Sequence, residues 1–216
     1  MFFLDGAKIT ILLAIFTIFF GAIFGVLLAL MRISHNPILK AISAAYIEFI
    51  RGTPIMVQLF IVYYGLSTMG IKFPEVSILG SNFPDLMAGV TALSINSAAY
   101  VAEIVRAGIQ AVDKGQMEAA RSLGLNYSMS MKAIVLPQAI KNILPALGNE
   151  FIAIIKESSI VSIIGIHELM YNTDTVRGNT FKPFEPLIVT AVVYFVITFT
   201  LSTVVKAFER RLKTSD

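Results

Sequence analysis

Residues 9–31 read ITILLAIFTIFFGAIFGVLLALM, 23 consecutive positions without a charged side chain. A helix needs about 20 mostly apolar residues to cross the hydrocarbon core of a bilayer. The apolar core of a signal peptide runs roughly 7–15 residues, so this stretch is expected to stay as a membrane helix rather than be cleaved. Composition extends that reading to the whole chain. Of 216 residues 56% are hydrophobic and 14% charged, with a mean hydropathy of +0.77. Soluble domains carry about 25% charged residues, so a chain this apolar needs lipid around it. The sequence has no Cys, which excludes disulfides and thiolate metal sites. A net charge of +3, spread between apolar runs, leaves little room for the clustered basic surface of a nucleic-acid binder.

Outward from residues 9–31, four more spans follow. Thr53 to Ile71 is a second uncharged run, and Pro54 suits the first turn of its helix, where a missing N–H costs nothing. The third span runs from about Pro84 to Val112 and carries Glu103 and Arg106 toward its end. The fourth runs from about Pro137 to Ile166, interrupted by Glu150, Lys156 and Glu157, and the fifth from about Pro186 to Val205. The expected fold is therefore an all-α polytopic membrane protein with five transmembrane helices. It forms a single domain over residues 1–216, with a polar loop at 113–136.

Five spans place the termini on opposite sides. One set of flanks holds Arg32, Lys40, Lys114, Arg121 and Lys132 and the basic C-terminal stretch; the other holds Lys8, Lys72, Arg177 and Lys182. The positive-inside rule makes the richer set cytoplasmic, with the N-terminus outside and the C-terminus inside. Gly21 and Gly25 form a G-x-x-x-G in the first span; small residues let two membrane helices approach closely, here read as packing within the chain.

The 113–136 loop has its own grammar. Glu118, Ala119, Ala120, Arg121 and Leu123 favour helix. Gly124 ends it, since Gly enters the left-handed cap conformation cheaply. Asn126 or Ser128 can cap a second short helix, and Pro137 falls in the first turn of the next span. The expectation is two short helices with a sharp bend on the cytoplasmic face, the small Ala residues letting the first sit deep in a partner's groove.

The spacing of this loop, Glu118-Ala119-Ala120, then Gly124, then Ile134, Leu136 and Pro137, resembles the signature of membrane subunits of ABC importers, in which this element is the coupling helix. Two further stretches narrow the likeness. Residues 48–59, EFIRGTPIMVQL, and residues 93–106, LSINSAAYVAEIVR, look like segments of polar amino-acid permeases, and Gly148 to Phe151 and Lys156 to Ser159 fit the same group. The resemblance covers about Gly6 to Lys213. It implies the transmembrane domain of a type I importer in a prokaryotic inner membrane. Two ABC ATPase subunits would dock at Glu118, Ala119, Ala120 and Gly124. A second permease subunit, identical or different, and an extracytoplasmic solute-binding protein would complete the assembly. The chain itself has no G-x-x-x-x-G-K-[ST], and no Gly is followed by Lys, so it lacks a phosphate-cradling loop. No cofactor is expected in this chain; ATP and Mg would be bound by the partner ATPase.

Polar residues inside membrane spans are costly and point to function. Asn96, Tyr100 and Glu103 share one helix face at +4 and +7, as Asn142, Asn149 and Lys156 do at +7 steps, with Glu150 and Glu157 on the adjoining stripe. At about 1.5 Å per residue both spans reach the bilayer middle after roughly 10–12 residues, near Asn96 on one and near Asn149 and Glu150 on the other. Asn96, Ser97, Tyr100, Asn149 and Glu150 are expected to line a small polar pocket for an amino acid. There Asn and Ser would hold its carboxylate or amino group, and Glu150 a cationic group. Glu103 and Arg106, at i,i+3, are expected to pair. Lys156 and Glu157 lie nearer the outer surface, either reaching the headgroups or lining the outer mouth. Arg51 stands at a helix start in a structural or gating role. His167-Glu168 lacks the second His of H-E-x-x-H, and there is no G-x-S-x-G, so the chain is not expected to be an enzyme. The alternatives are an importer for another small polar solute and an ATP-independent channel or carrier.

Overall fold

The computed structural model describes residues 2–71 and 83–213, and Lys72 of the charge count lies outside them. Among the described residues there is no β-strand. The helices in chain order are α1 (Phe2–Ile33), α2 (Pro37–Arg51), α3 (Ile55–Thr68), α4 (Phe83–Gln110), α5 (Lys114–Ser122), α6 (Tyr127–Ser130), α7 (Leu136–Glu157), α8 (Leu169–Thr180) and α9 (Glu185–Lys213). A π-helical turn at Met131–Val135 joins α6 to α7, and a 3-10 segment at Ser158–Ile164 continues α7. The fold is that of a polytopic membrane protein. Helices α1, α4 and α9 are each long and apolar enough to cross a bilayer, and α2 with α3 qualifies as one broken span. The fourth expected span, α7 with its 3-10 extension, is not among these helices; it carries Glu150, Lys156 and Glu157, so five is an approximate count.

The expected boundaries shift where neighbouring polar residues join a helix. The first helix extends back through Asp5 and Lys8, which pair at 2.9 Å. The fifth extends to Lys213. The second span differs most, because the uncharged run 53–71 is only its second half. Asn36 caps the first half by accepting the Ile38 N–H at 2.9 Å, with Pro37 in the first turn. Helix α2 then ends at Arg51, since a residue preceding Pro disfavours the α conformation. The chain turns by 108° through Gly52-Thr53-Pro54 into α3. Pro54 stands at the cap position, just before the first turn.

A bend at membrane depth exposes carbonyls that lipid cannot satisfy. Gln58, 5% exposed, answers them. Its amide nitrogen donates to the Ile50 carbonyl at 2.7 Å, the Thr53 carbonyl at 3.1 Å and Thr53 Oγ1 at 2.8 Å. Its Oε1 accepts from Asn96 Nδ2 at 2.8 Å. Tyr46 of α2 also donates to the Ile95 carbonyl at 2.8 Å. The elbow is thus pinned to the middle of α4.

The principal helix pair is α1 with α4. A Cβ on Gly21 would come within 2.8 Å of Ser97 Oγ, and one on Gly25 within 2.6 Å of Val101 Cβ. The G-x-x-x-G therefore packs within the chain, as expected. Around that contact Ala29, Ile47, Ala99, Val101 and Ala102 form one core, and Leu13, Leu59, Val90 and Val161 a second toward the other end of the bundle. Helix α9 packs on α7 and presents Val192, Phe195, Val196 and Phe199 outward, as a lipid-facing helix does.

Candidate functional site

The polar loop folds much as its residues dictate. Asp113 caps α5 by accepting the Gly115 N–H at 2.6 Å. Gly124 takes φ +86°, and the helix closes with Gly124 N–H to the Arg121 carbonyl at 3.0 Å and Leu125 N–H to the Ala120 carbonyl at 3.2 Å. This pair of bonds is the Schellman closure of a helix end. Asn126, rather than Ser128, caps the next helix, accepting the Met129 N–H at 2.9 Å. Glu118, Ala119 and Gly124 are exposed, and beside them Leu123, Tyr127 and Met129 expose apolar surface, Leu123 at 84%. Ala120 departs from expectation. It is 4% exposed, turned into the loop's own interior, so it holds the loop together instead of facing a partner.

The second short helix is also different from expectation, because it does not stop. From Tyr127 through the π turn to Glu157 the backbone is continuously helical. Pro137 has no N–H to give, and the turn before it widens: the Leu136 N–H reaches back to the Met131 carbonyl, while Gln138 Nε2 donates to the Ile134 carbonyl at 3.0 Å.

The intramembrane polar residues divide between three places. Ser97 and Glu150 meet directly, Ser97 Oγ donating to Glu150 Oε1 at 3.1 Å. This joins the middle of α4 to α7 at the depth where the two spans were expected to meet. Asn96 is buried and bonds Gln58, so it faces the α2–α3 elbow. Tyr100, one turn further, is partly exposed, and the Arg51 guanidinium lies over its ring at 5.6 Å from the centroid. Asn149 is exposed together with Asn142 and Lys156, on the same face of α7, and Glu157 is exposed beside them. Glu103 and Arg106 pair as expected, through Nη2 at 2.7 Å and Nε at 3.0 Å. Arg106 Nη1 also reaches Gln110 at 2.6 Å. Arg51 Nη1 lies 3.8 Å from Glu103. Asn96 and Ser97 thus have their hydrogen-bonding groups engaged within the chain, whereas Glu150, Tyr100 and Arg51 keep accessible surface.

One polar cluster escaped the sequence reading. Glu168 is fully buried and caps α8, accepting the N–H groups of Met170 at 2.9 Å and Tyr171 at 2.8 Å. The Tyr194 hydroxyl of α9 donates to it at 3.1 Å and Thr10 of α1 at 3.5 Å. Thr10 in turn accepts the Leu169 N–H at 3.2 Å. A buried carboxylate needs such partners, and here they tie three helices at one point. The available signal was an acid ahead of a helix-forming stretch, which reads as a cap.

A helical bundle with a polar loop between two long helices agrees with comparisons to known proteins. Residues 9–214 match the family model of the binding-protein-dependent transport system inner membrane component. The arginine transport system permease protein ArtQ of Bacillus subtilis (strain 168) is 43% identical over 215 residues, covering 100% of this chain and 94% of its own. A solved amino acid ABC transporter with histidines is 48% identical and superposes with a TM-score of 0.89, covering 97% of this chain and 94% of that one. The inward-facing MetNI methionine ABC transporter shares the fold at 18% identity, with a TM-score of 0.77 over 98% of this chain and 96% of that one. This chain belongs to the family of inner membrane components of binding-protein-dependent transport systems, and is a translocation subunit rather than an enzyme.

Proposed function

We propose that the chain is the membrane-spanning permease subunit of an ATP-driven importer of polar amino acids, working by alternating access. One observation carries the coupling: the exposed Glu118 helix and its Gly124 turn lead into the unbroken helix that bears Glu150 at its contact with Ser97. A push on the loop therefore reaches the middle of the bundle through one piece of backbone. Two ABC ATPase subunits, holding ATP and Mg, dock on the loops of two permease subunits, this chain paired with a copy of itself or a related chain. A solute-binding protein delivers the amino acid from outside. The single domain over residues 1–216 lies in a prokaryotic inner membrane, N-terminus outside and C-terminus in the cytoplasm. ATP closure of the ATPase dimer turns the cavity outward, and hydrolysis resets it. Such coupling is a free-energy link between distant sites through two global states. Glu150, with Ser97 beside it, takes the cationic group of the substrate, while Lys156 and Glu157 lie toward the outer mouth.

The test is reconstitution in proteoliposomes with the ATPase subunit and the binding protein, across a panel of amino acids. Amino-acid-stimulated ATP hydrolysis coupled to uptake, lost in Glu118→Arg, is the expected result. Stimulation by a different class of small polar solute would keep the importer and replace the substrate. Ion flux without ATP and without a bound ATPase would overturn the reading in favour of a channel.

A further inference from the structure

Arg51 closes α2 where the elbow begins, at the depth of Tyr100 and Glu103 on α4. Its side chain is 43% exposed and forms no hydrogen bond with any described residue. Among the described residues its contacts of charge are the Tyr100 ring at 5.6 Å and the Glu103 carboxylate at 3.8 Å. Glu103 is already chelated by Arg106 through two bonds of 2.7 Å and 3.0 Å. Two guanidinium groups therefore share one carboxylate, and the surplus positive charge rests on Arg51. A planar guanidinium with open N–H groups matches a carboxylate in bidentate fashion. An ionisable group at this depth is costly unless it is used.

Of the groups first expected to hold the substrate carboxylate, two are engaged within the chain, while Asn149 is exposed on α7. Asn96 Nδ2 donates to Gln58 and Ser97 Oγ to Glu150. Arg51, on α2, lies over Tyr100, which is one turn along α4 from Ser97, three residues or about 4.5 Å of rise away. The carboxylate of Glu150 and the guanidinium of Arg51 thus border consecutive turns of one helix, opposite in charge and both accessible. The elbow fixes this arrangement. Gln58 bonds the carbonyls of Ile50 and Thr53 on either side of Arg51 and anchors both to Asn96, one turn from Tyr100.

We infer that Arg51 is the α-carboxylate subsite of the translocation path, paired with Glu150 for the cationic group, with Gln58 as its positioning residue. The inference rests on the amino-acid importer reading above. It assigns zwitterion recognition to the permease itself, separate from whatever the binding protein selects.

The test uses the detergent-solubilised permease–ATPase complex without binding protein, so that the binding protein's own selectivity is absent. Equilibrium binding of L-arginine, L-glutamine and L-histidine is compared with that of their carboxylate-free counterparts agmatine, γ-aminobutyramide and histamine. For whichever pair binds, the wild type is expected to prefer the amino acid at least tenfold. Arg51→Gln should weaken the amino acid by tenfold or more and leave the amine unchanged, bringing the ratio near one, with Arg51→Lys in between. General damage to folding would weaken both members of a pair and so leave the ratio alone. An unchanged ratio in Arg51→Gln and Arg51→Lys, with the amine bound as tightly as by the wild type, overturns the subsite while leaving the importer standing. A wild-type complex that couples ATP hydrolysis to uptake of no amino acid overturns the importer reading itself.

Discussion

Gln58→Met should expose how much the elbow depends on one amide. The substitution keeps the length of the side chain and removes its hydrogen bonds. Two of the four groups that Gln58 serves retain other partners: the Ile50 carbonyl still receives the Thr53 N–H at 3.5 Å, and Thr53 Oγ1 still donates to the Phe49 carbonyl at 2.9 Å. The Thr53 carbonyl and Asn96 Nδ2 lose theirs. A buried polar group left unpaired costs about 1–3 kcal/mol; with the Thr53 carbonyl only half-buried, the two losses together should come to roughly 2–4 kcal/mol. Asn96→Leu strands only Gln58 Oε1, at about 1–3 kcal/mol. In the double variant the Asn96–Gln58 bond has no surviving half, so two fewer groups are stranded than in the single variants together, and its cost should fall short of the sum by about 2 kcal/mol or more. For a chain of this size each kcal/mol moves the melting temperature by roughly 2–4 °C. The assay is loss of helical circular dichroism on heating in detergent, and Gln58→Met should melt about 4–16 °C lower. Single-variant losses that add to within about 0.5 kcal/mol would refute the idea that the two side chains act as one unit.

Three more outcomes follow from the geometry. Gly25→Leu should disrupt the α1–α4 contact, where even a Cβ meets Val101 at 2.6 Å and the Ala98 carbonyl at 2.9 Å; a loss of at least 1–3 kcal/mol, about the usual overpacking cost, is expected in the same melting assay. Gly124→Ala forces a side chain to φ +86° at a cost of about 1–2 kcal/mol, and co-purification with the ATPase subunit should weaken while the melting of the bundle barely moves. Glu168→Ala removes an acceptor of four bonds and should cost roughly 3 kcal/mol or more, with Glu168→Gln milder because it keeps an acceptor oxygen for Tyr194; equal losses in the two would remove the hydrogen bonds as the cause.

The regular parts of this molecule were legible because each rests on a local rule. A long apolar run without charges gives α1, and Gly124 followed by Asn126 gives the bend of the polar loop. Helix α2 escaped notice because Ile38 to Arg51 is amphipathic and too short to read as a span, although Asn36-Pro37 ahead of it is a start signal. The elbow escaped because Gln58 sits in an apolar run, and only the three-dimensional path shows that the carbonyls beside Arg51 need its amide. The polar face of α4 was visible as a spacing, but not its division of labour. Which of Asn96, Ser97 and Tyr100 is engaged depends on what α3 and α7 bring up against it. Ala120 shows the same limit, since a small residue on a loop helix serves equally to fit a partner's groove and to let the loop close on itself.

The π turn at Met131–Val135 sits where a stiff rod needs a joint. From Tyr127 to Glu150 the helical backbone measures roughly 35 Å at about 1.5 Å per residue, with the polar loop at one end and the intramembrane carboxylate at the other. Over the arm from the π turn to Glu150, roughly 25 Å, a tilt of only about 5° sweeps the far end by roughly 2 Å, enough to make or break a hydrogen bond. A uniform α-helix would resist local twisting along its whole length. One widened turn, next to a proline that has already given up its hydrogen bond, concentrates the compliance at the fulcrum and leaves both arms rigid.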